Sequence, residues 1–325
     1  MRKIEIIIPK DKIAETTETL NKLHYEYNII EGQTEALLII MTEAEDSENV
    51  IDDLNQMGVS TAYGRINIIP LLGLIPRVIK KPELKNKIKS LSFEELFQII
   101  EPQTHSNLLY IIFGITSAIV AALGLMSDYV WVIIGAMVIS PLLGPIIGTS
   151  FGTITNDRKM LQRSLFTEFI GIIVAVGIGL MLGFAIIGVE IPDDAIMRAF
   201  AEPTPADFGL AIASGLAAAL CIVSGFATFL VGIAVATSIL PPAANVGILL
   251  TMGEPELALG SLVVLLINLL CINFVCTITF FVAGVKSPVR SKRMEKITAR
   301  TFRKHLMIVF FAILLLVLVI VLAVI

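Results

Sequence analysis

Long runs of apolar residues fill the chain from about residue 107 onwards, whereas the residues before them mix apolar and polar positions at short periods. Seven of these runs are near the roughly 20 residues that a helix needs to cross the hydrocarbon core of a bilayer. They are predicted at residues 107–126, 130–151, 164–187, 208–224, 226–250, 257–284 and 305–325. The pattern therefore predicts an α-helical membrane protein with about seven transmembrane helices.

The first 70 residues have the periods of a small α+β domain. Alternating apolar positions predict strands at residues 3–9, 25–30, 35–42 and 62–69. Spacings of three and four residues predict helices at residues 10–23 and 46–57. The order β-α-β-β-α-β is that of a ferredoxin-like plait. Such plaits act as assembly domains and as ligand sensors, and both roles remain open for residues 1–70.

Residues 71–106 form a basic connector between the plait and the apolar half. Within it, Ser92 and Glu95 have the spacing of a capping box, which predicts the start of a helix. The helix has one apolar face, so we expect it either to lie along the membrane surface or to pack on the plait.

Composition supports a membrane protein and argues against several other classes. Of the 325 residues, 56% are hydrophobic and 16% are charged, against about 25% charged residues in soluble domains. The net charge of −4 offers no broad cationic surface, so no nucleic-acid partner is expected. The three cysteines lie in apolar runs and the three histidines are scattered, so we expect no disulfide framework, no metal site and no cofactor.

The charges of the loops predict which way the segments cross. Residues 152–163 and 285–304 carry clusters of Lys and Arg, whereas residues 188–207 and 251–256 are mainly acidic. Seven crossings place both basic loops on the side of the plait, and the positive-inside rule makes that side cytoplasmic. We therefore expect a multi-pass protein of the cell (inner) membrane with a cytoplasmic N-terminus and a C-terminus outside.

The apolar half contains an internal repeat. When the chain is shifted by 97 residues, positions 115–140 align with positions 212–237, and eight of the 26 pairs are identical. A gap of three residues then aligns Pro141 with Pro241. Each copy has three crossings, so the second copy would enter the membrane from the opposite side, as in the inverted repeats of transporters. The alternative is two ordinary hairpins of similar composition.

Both copies carry a proline-rich stretch, SPLLGP at residues 140–145 and TSILPPAAN at residues 237–245. Proline removes a backbone donor, so both helices are predicted to be broken there. Free backbone groups inside a membrane are tolerated only where protein, water or a ligand satisfies them. The predicted substrate- or ion-binding residues are Ser140, Pro141, Gly144, Pro145, Thr237, Ser238, Pro241, Pro242, Asn245 and Asn268, with Asn273 as a further candidate. The alternative is a pair of kinks filled by neighbouring side chains.

Glu168 is the only carboxylate within an apolar segment, and it lies just beyond a basic loop. That position favours snorkelling or helix pairing over a role in coupling. If any residue acts in coupling, Glu168 is the candidate. Since no charged residue occupies the centre of a span, proton antiport through a central carboxylate is disfavoured. The one histidine in a segment is His305, at the first position of the seventh, and the segments contain no paired carboxylates, so an intramembrane enzyme is not expected.

Three apolar runs have distinctive sequences, SAIVAALGL at residues 117–125, IGAMVISPLLGPI at residues 134–146 and AVATSILPPAANVG at residues 234–247. They resemble the domain of unknown function 389 family of prokaryotic multi-pass membrane proteins. The resemblance covers roughly residues 90–284 and implies no established activity.

Together these observations predict a homo-oligomeric membrane protein that moves a small solute or ion. The substrate would bind where the two proline-rich stretches meet, residues 107–284 would form the inverted-repeat core, and the plait would gate or assemble the complex. Two alternatives remain, an ion channel of the same architecture and a non-transporting sensor or scaffold whose plait binds a cytosolic metabolite.

Overall fold

The computed structural model describes residues 1–43, 46–71, 91–185, 196–225 and 229–285, without the side chains of residues 48, 229–234, 236 and 237. The predicted seventh segment, nearly all of the basic loop before it and much of the basic connector lie outside the described residues. The chain divides into two compact units, Met1–Glu94 and Glu95–Ile325.

The first unit contains a four-stranded antiparallel sheet with two helices. Its elements in chain order are β1 Arg2–Pro9, α1 Ile13–Lys22, β2 Tyr27–Glu31, β3 Glu35–Thr42, α2 Ser47–Gln56 and β4 Arg65–Pro70. The strands lie in the order β2-β3-β1-β4, and each neighbouring pair is antiparallel. Alternate residues of β1, namely Ile4, Ile6 and Ile8, are fully buried. They form a core with Leu20 of α1 and Leu54 of α2, as the alternating sequence requires.

The second unit consists of helices. They are α3 Phe93–Ile100, α4 Leu108–Met126, α5 Val130–Ile139, α6 Leu143–Thr155, α7 Arg158–Ala185, α8 Ile196–Ala199, α9 Pro205–Ser224, α10 Phe229–Thr251 and α11 Pro255–Val282. Among the described residues, α4, α7, α9 and α11 are long and apolar enough to cross a membrane, and the bent pair α5–α6 adds a fifth candidate if it forms one span. The unit therefore has the apolar helices of a membrane protein.

The helix boundaries recur at one interval. Helix α9 begins at Pro205, 97 positions after Leu108, where α4 begins. Helix α11 begins at Pro255, again 97 positions after Arg158 at the start of α7, and both of these helices have 28 residues. No three-residue gap is needed to relate these boundaries.

Close contacts between helices give their relative directions. A Cβ added to Gly179 of α7 would meet the carbonyl oxygen of Ala244 in α10, and one added to Gly183 would meet Ile248. A step of four residues along α7, from Gly179 to Gly183, matches a step of four along α10, from Ala244 to Ile248, so the two helices run in the same direction. Helices α10 and α11 run in opposite directions, because Asn245 of α10 bonds Ser261 at the start of α11 and Ser238 bonds Asn268 further along it.

One of the two predicted helix breaks is present. Helix α5 ends at Ile139 and α6 begins at Leu143, with a bend of 53° between them. Ser140 is extended (φ −62°, ψ 127°), which is the backbone conformation that a following proline favours. Pro145 causes no break, because it lies in the first turn of α6, where the backbone N–H groups have no partner within the helix.

The predicted break at Pro241 and Pro242 is wrong. Both prolines lie inside α10, which is helical from Phe229 to Thr251. A proline in a helix normally leaves the carbonyl four residues earlier without a donor. For Pro242, a neighbouring helix supplies that donor.

Candidate functional site

The amide of Asn268 replaces the backbone donor that Pro242 lacks. In a regular helix the N–H of residue 242 would donate to the carbonyl oxygen of Ser238. Asn268 Nδ2 of α11 donates to that same carbonyl oxygen at 2.7 Å. The side chain of Asn268 is 2% exposed, so the bond is shielded from solvent. A long-range side chain thus satisfies the backbone and lets α10 continue past its two prolines.

A second asparagine bond joins the same two helices. Asn245 Nδ2 of α10 donates to Ser261 Oγ of α11 at 2.9 Å and to the carbonyl oxygen of Met197 in α8 at 2.8 Å. Asn245 is completely buried. Each helix therefore contributes one serine and one asparagine, seven residues apart, to an antiparallel pair of polar contacts.

Four buried side-chain oxygens in the second unit have no hydrogen-bond partner among the residues that the structure describes. They are Ser140 Oγ, Ser164 Oγ, Asn245 Oδ1 and Asn268 Oδ1. Buried polar atoms are normally hydrogen-bonded, and an unpaired one costs about 1–3 kcal/mol. The asparagine oxygens can only accept a hydrogen bond or contact a cation. The two asparagines therefore offer free acceptors at two depths of the α10–α11 interface.

The other predicted site residues are distributed along this region. Ser140 and Pro141 form the bend between α5 and α6, and both are partly buried. Gly144 is buried close to the turn that precedes α4, since an added Cβ would lie 2.7 Å from Cβ of Gln103. Pro241 and Pro242 are buried within α10. The side chain of Thr237 lies outside the described residues. Of the predicted set, the structure joins Ser238 directly to Asn268.

Glu168 is buried, with 3% of its surface exposed. It does not snorkel; it links three helices. Thr149 Oγ1 of α6 donates to its Oε2 at 3.0 Å, and Asn273 Nδ2 of α11 donates to its Oε1 at 3.0 Å. Ser150 of α6 donates to the backbone oxygen of Asn273 at 3.1 Å and closes the cluster. Among the described residues, no Lys, Arg or His side chain forms an ion pair with this carboxyl group.

A charged group lies before this cluster, at the start of α7. Arg163 donates to Glu101 Oε1 at 2.9 Å, and His105 Nε2 lies 3.0 Å from the same oxygen. The hydrogen bond with His105, aided by the charge of Arg163, holds the pKa of Glu101 below its usual range against the opposing effect of partial burial. All three side chains are partly exposed. The group is therefore open to solvent.

The sequence contained one signal that predicts the α10–α11 contact, the serine-to-asparagine spacing of seven residues in both helices. The sequence does not predict Ser261 as a site residue, because serine is common in membrane helices. Nor does it predict Thr149, Ser150 or Ser164, because no local pattern indicates which side chain each of them will face. No group of three or more His, Cys, Asp or Glu that could hold a metal occurs in the described part of the chain.

Comparison with known proteins gives a family and a relative. Residues 137–274 match the family described as Domain of unknown function (DUF389). An uncharacterized protein of the archaeon Methanocaldococcus jannaschii is 29% identical over 273 residues, which are 83% of this chain and 82% of that protein. No solved structure matches the chain. The matched region includes the bend, the α10–α11 contacts and Glu168, so these features lie in the part of the chain that is similar to the domain of unknown function 389 family.

Proposed function

We propose that this protein is an integral membrane transporter of a small solute or ion. The observation that carries the proposal is a set of buried oxygens without partners among the described residues, those of Asn245 and Asn268 in apolar helices and of Ser140 at the bend between two. Polar groups inside membrane segments are costly, and they commonly mark substrate or ion pathways. Because the asparagine oxygens are acceptors, the ligand would be a cation or a solute with N–H or O–H donors.

An inverted repeat is the architecture that we propose for this site. The common interval of 97 residues between helix starts supports two equivalent copies, α4–α7 and α9–α11. Opposite insertion is supported by the helix directions. Helix α7 runs with α10, and α10 runs against α11, so the third helices of the two copies point in opposite directions. Inverted repeats of this kind place a substrate site near the bilayer midplane, between the copies.

The two copies would contribute unequally to the site. At the interval of 97 residues Gly148 corresponds to Asn245, and Ser164 corresponds to Ser261. Asn245 bonds Ser261, whereas a Cβ added to Gly148 would meet Ser164 Oγ. Glycine therefore occupies the place of the asparagine in the first copy and leaves the hydroxyl of Ser164 unpartnered. This asymmetry gives each copy its own arrangement of free oxygens.

For the membrane topology we propose a cytoplasmic ferredoxin-like plait, six crossings in the repeat and a seventh that ends outside. The basic residues of loops 152–163 and 285–304 support this orientation. A cysteine introduced at position 290 should react with an impermeant thiol reagent only from the cytoplasmic side. Labelling from the outside would contradict the orientation.

Transport can be tested with the protein in lipid vesicles, and a pair of variants then separates the free oxygen of Asn268 from its structural amide. Vesicles with the protein would be compared with protein-free vesicles for entry of sodium chloride, potassium phosphate, glycine and glycerol, measured by light scattering. We expect at least one solute to enter faster with the protein, and saturable entry would distinguish a carrier from a channel. Failure to accelerate any solute would contradict the proposal.

The variant pair for this assay is Pro242→Ala and Pro242→Ala/Asn268→Leu. In both variants residue 242 supplies its own N–H to the carbonyl of Ser238, so the amide of Asn268 is no longer needed there. The pair then differs mainly in the free Oδ1. We expect entry of the transported solute to fall at least tenfold in the double variant. Equal entry in the two variants would remove Asn268 from the site.

A further inference from the structure

Among the described residues, Glu168 is held by neutral hydrogen-bond donors, and no cationic side chain bonds it. Its two oxygens accept from Thr149 Oγ1 and Asn273 Nδ2. A bound Na⁺ would need oxygen lone pairs directed at it, but these donors direct N–H and O–H groups towards the carboxylate. The oxygen of Asn273 faces Ser150 Oγ at 3.3 Å. The arrangement suits a carboxyl group that exchanges a proton better than one that binds a metal ion.

A buried hydroxyl without a hydrogen-bond partner among the described residues lies one turn before Glu168 on the same helix. Ser164 precedes Glu168 by four residues on α7, and side chains at this spacing share one helix face about 6 Å apart. Ser164 is fully buried, and its hydroxyl has no partner among the described residues. As a carboxylate, Glu168 is satisfied by its two donors. As an acid, it gains an O–H that needs an acceptor, and Ser164 Oγ is a buried oxygen on the same helix face that no described group occupies.

Among the described residues, two other titratable side chains face Glu168. They are Tyr110 of α4 and Cys276 of α11. Ordinary tyrosine and cysteine side chains stay largely neutral at pH 7. Arg163 lies five residues earlier on α7, where it binds Glu101 and not Glu168. The charged group at the start of α7 is partly exposed.

We propose that Glu168 is the proton-binding residue of the transport cycle, so that the proton is the coupling ion. This inference rests on the proposed function. Deprotonation would leave a buried charge held only by neutral donors from α6 and α11, and protonation would remove that charge. Because Thr149 belongs to one copy and Asn273 to the other, loss or gain of the proton would change the contact between the copies. Such a change in contact is the kind of switch that alternating access requires.

The proton state of Glu168 can be tested with dicyclohexylcarbodiimide. This apolar reagent adds across a protonated carboxyl group: the acid proton moves to a reagent nitrogen, and the carboxyl oxygen bonds the central carbon. Mass spectrometry of the protein in lipid vesicles would locate the adduct. We expect labelling of Glu168 that decreases as the pH is raised, and no labelling at position 168 in Glu168→Gln. Absence of label on Glu168 at every pH would overturn the inference.

Flux of the transported solute provides the second measurement. Glu168→Gln keeps an oxygen that accepts a hydrogen bond but carries no exchangeable acid proton. We expect its solute entry to lose its pH dependence and its coupled proton movement, followed with a trapped pH-sensitive dye, to fall at least tenfold. The matched control is Glu256→Gln, since Glu256 is an exposed carboxylate in the first turn of α11.

The two proposals fail in different ways. Solute entry in Glu168→Gln with the same pH profile as the wild type would contradict proton coupling alone. Wild-type vesicles that move none of the solutes would contradict the proposed function, and proton coupling would fall with it. Should Glu168→Gln fail to fold, the pH dependence of labelling in the wild type still decides the inference.

Discussion

The replacement of the missing N–H of Pro242 by Asn268 predicts a specific stability coupling. In the wild type, Asn268 Nδ2 donates to the carbonyl oxygen of Ser238 at 2.7 Å. Asn268→Leu removes this donor from a buried carbonyl. An unsatisfied buried group costs about 1–3 kcal/mol, and side-chain hydrogen bonds between membrane helices contribute about 0.6–1.7 kcal/mol. We therefore expect Asn268→Leu to lower the free energy of unfolding by about 1–2 kcal/mol.

Restoring the backbone donor should remove most of this cost. Pro242→Ala places an N–H four residues after Ser238, where a regular helix bonds its carbonyl. In that background Asn268→Leu should lower the free energy of unfolding by less than about 0.5 kcal/mol. The double-mutant cycle should therefore show a coupling energy of about 0.5–2 kcal/mol.

Pro241→Ala is the matched control for this cycle. It adds the same N–H one residue earlier, where the helical acceptor is the carbonyl of residue 237 and not that of Ser238. Asn268→Leu should therefore be as destabilising with Pro241→Ala as it is in the wild type.

Thermal unfolding in detergent can be followed with a thiol-reactive fluorogenic dye, because Cys271 and Cys276 are buried free thiols. The four proteins of the cycle and the Pro241→Ala pair would be compared under one condition. Effects of Pro242→Ala and Asn268→Leu that add within about 0.5 kcal/mol would refute the reasoning. So would equal rescue by Pro241→Ala.

Three further predictions use the same assay. Gly179→Ala should lower the unfolding temperature, because the added Cβ would meet the backbone of α10. Gly177→Ala, whose Cβ would have no atom within 4 Å, should leave the unfolding temperature unchanged or raise it. Equal effects of the two variants would contradict the close packing. Asn245→Leu removes two buried bonds and should cost about 1–3 kcal/mol; a cost near zero would show that the bonds contribute nothing. The pKa of Glu101 is lowered, first by its hydrogen bond with His105. The stabilisation that this carboxylate gives the fold is therefore present above the ordinary pKa of glutamate and is lost as the pH falls through the lowered value. Glu101→Gln should be slightly less stable than the wild type at neutral pH and not in acid, and a difference that persists in acid would be inconsistent with this sign.

The structure changes how one expected variant is interpreted. From the sequence, Asn245 is a ligand-binding residue, so its replacement would affect binding more than stability. In the structure its amide donates to Met197 and Ser261, and only its oxygen is free. A variant that lacks the whole side chain therefore tests packing and binding together. The Pro242→Ala background avoids this ambiguity for Asn268.

The candidate site was predictable in part. Asn268 and Asn245 are conspicuous as amides in apolar segments, and both have a free acceptor in the structure. The interpretation of Glu168 as a helix-pairing residue agrees with its bonds to α6 and α11. Its burial was not predictable, because the distance of a residue from a basic loop along the chain does not show which helices surround it.

Local patterns in the sequence were sufficient for the strands and helices of the first unit and for the apolar helices of the second. The alternating burial along β1 and the lengths of α7 and α11 follow from the order of apolar and polar residues within each element. That order is local information. Whether a proline breaks its helix depends on a donor from elsewhere. Pro141 follows an extended Ser140 and ends α5, whereas Pro242 lies in a continuous helix.

The tertiary structure alone decided that the second proline-rich stretch is helical. Asn268 lies on another helix, and only the antiparallel packing of α10 and α11 brings its amide to the carbonyl that Pro242 leaves without a donor. The same holds for Glu168, whose donors come from two other helices. A buried polar group is satisfied by whichever side chain the fold places beside it, and no local sequence pattern encodes that partner.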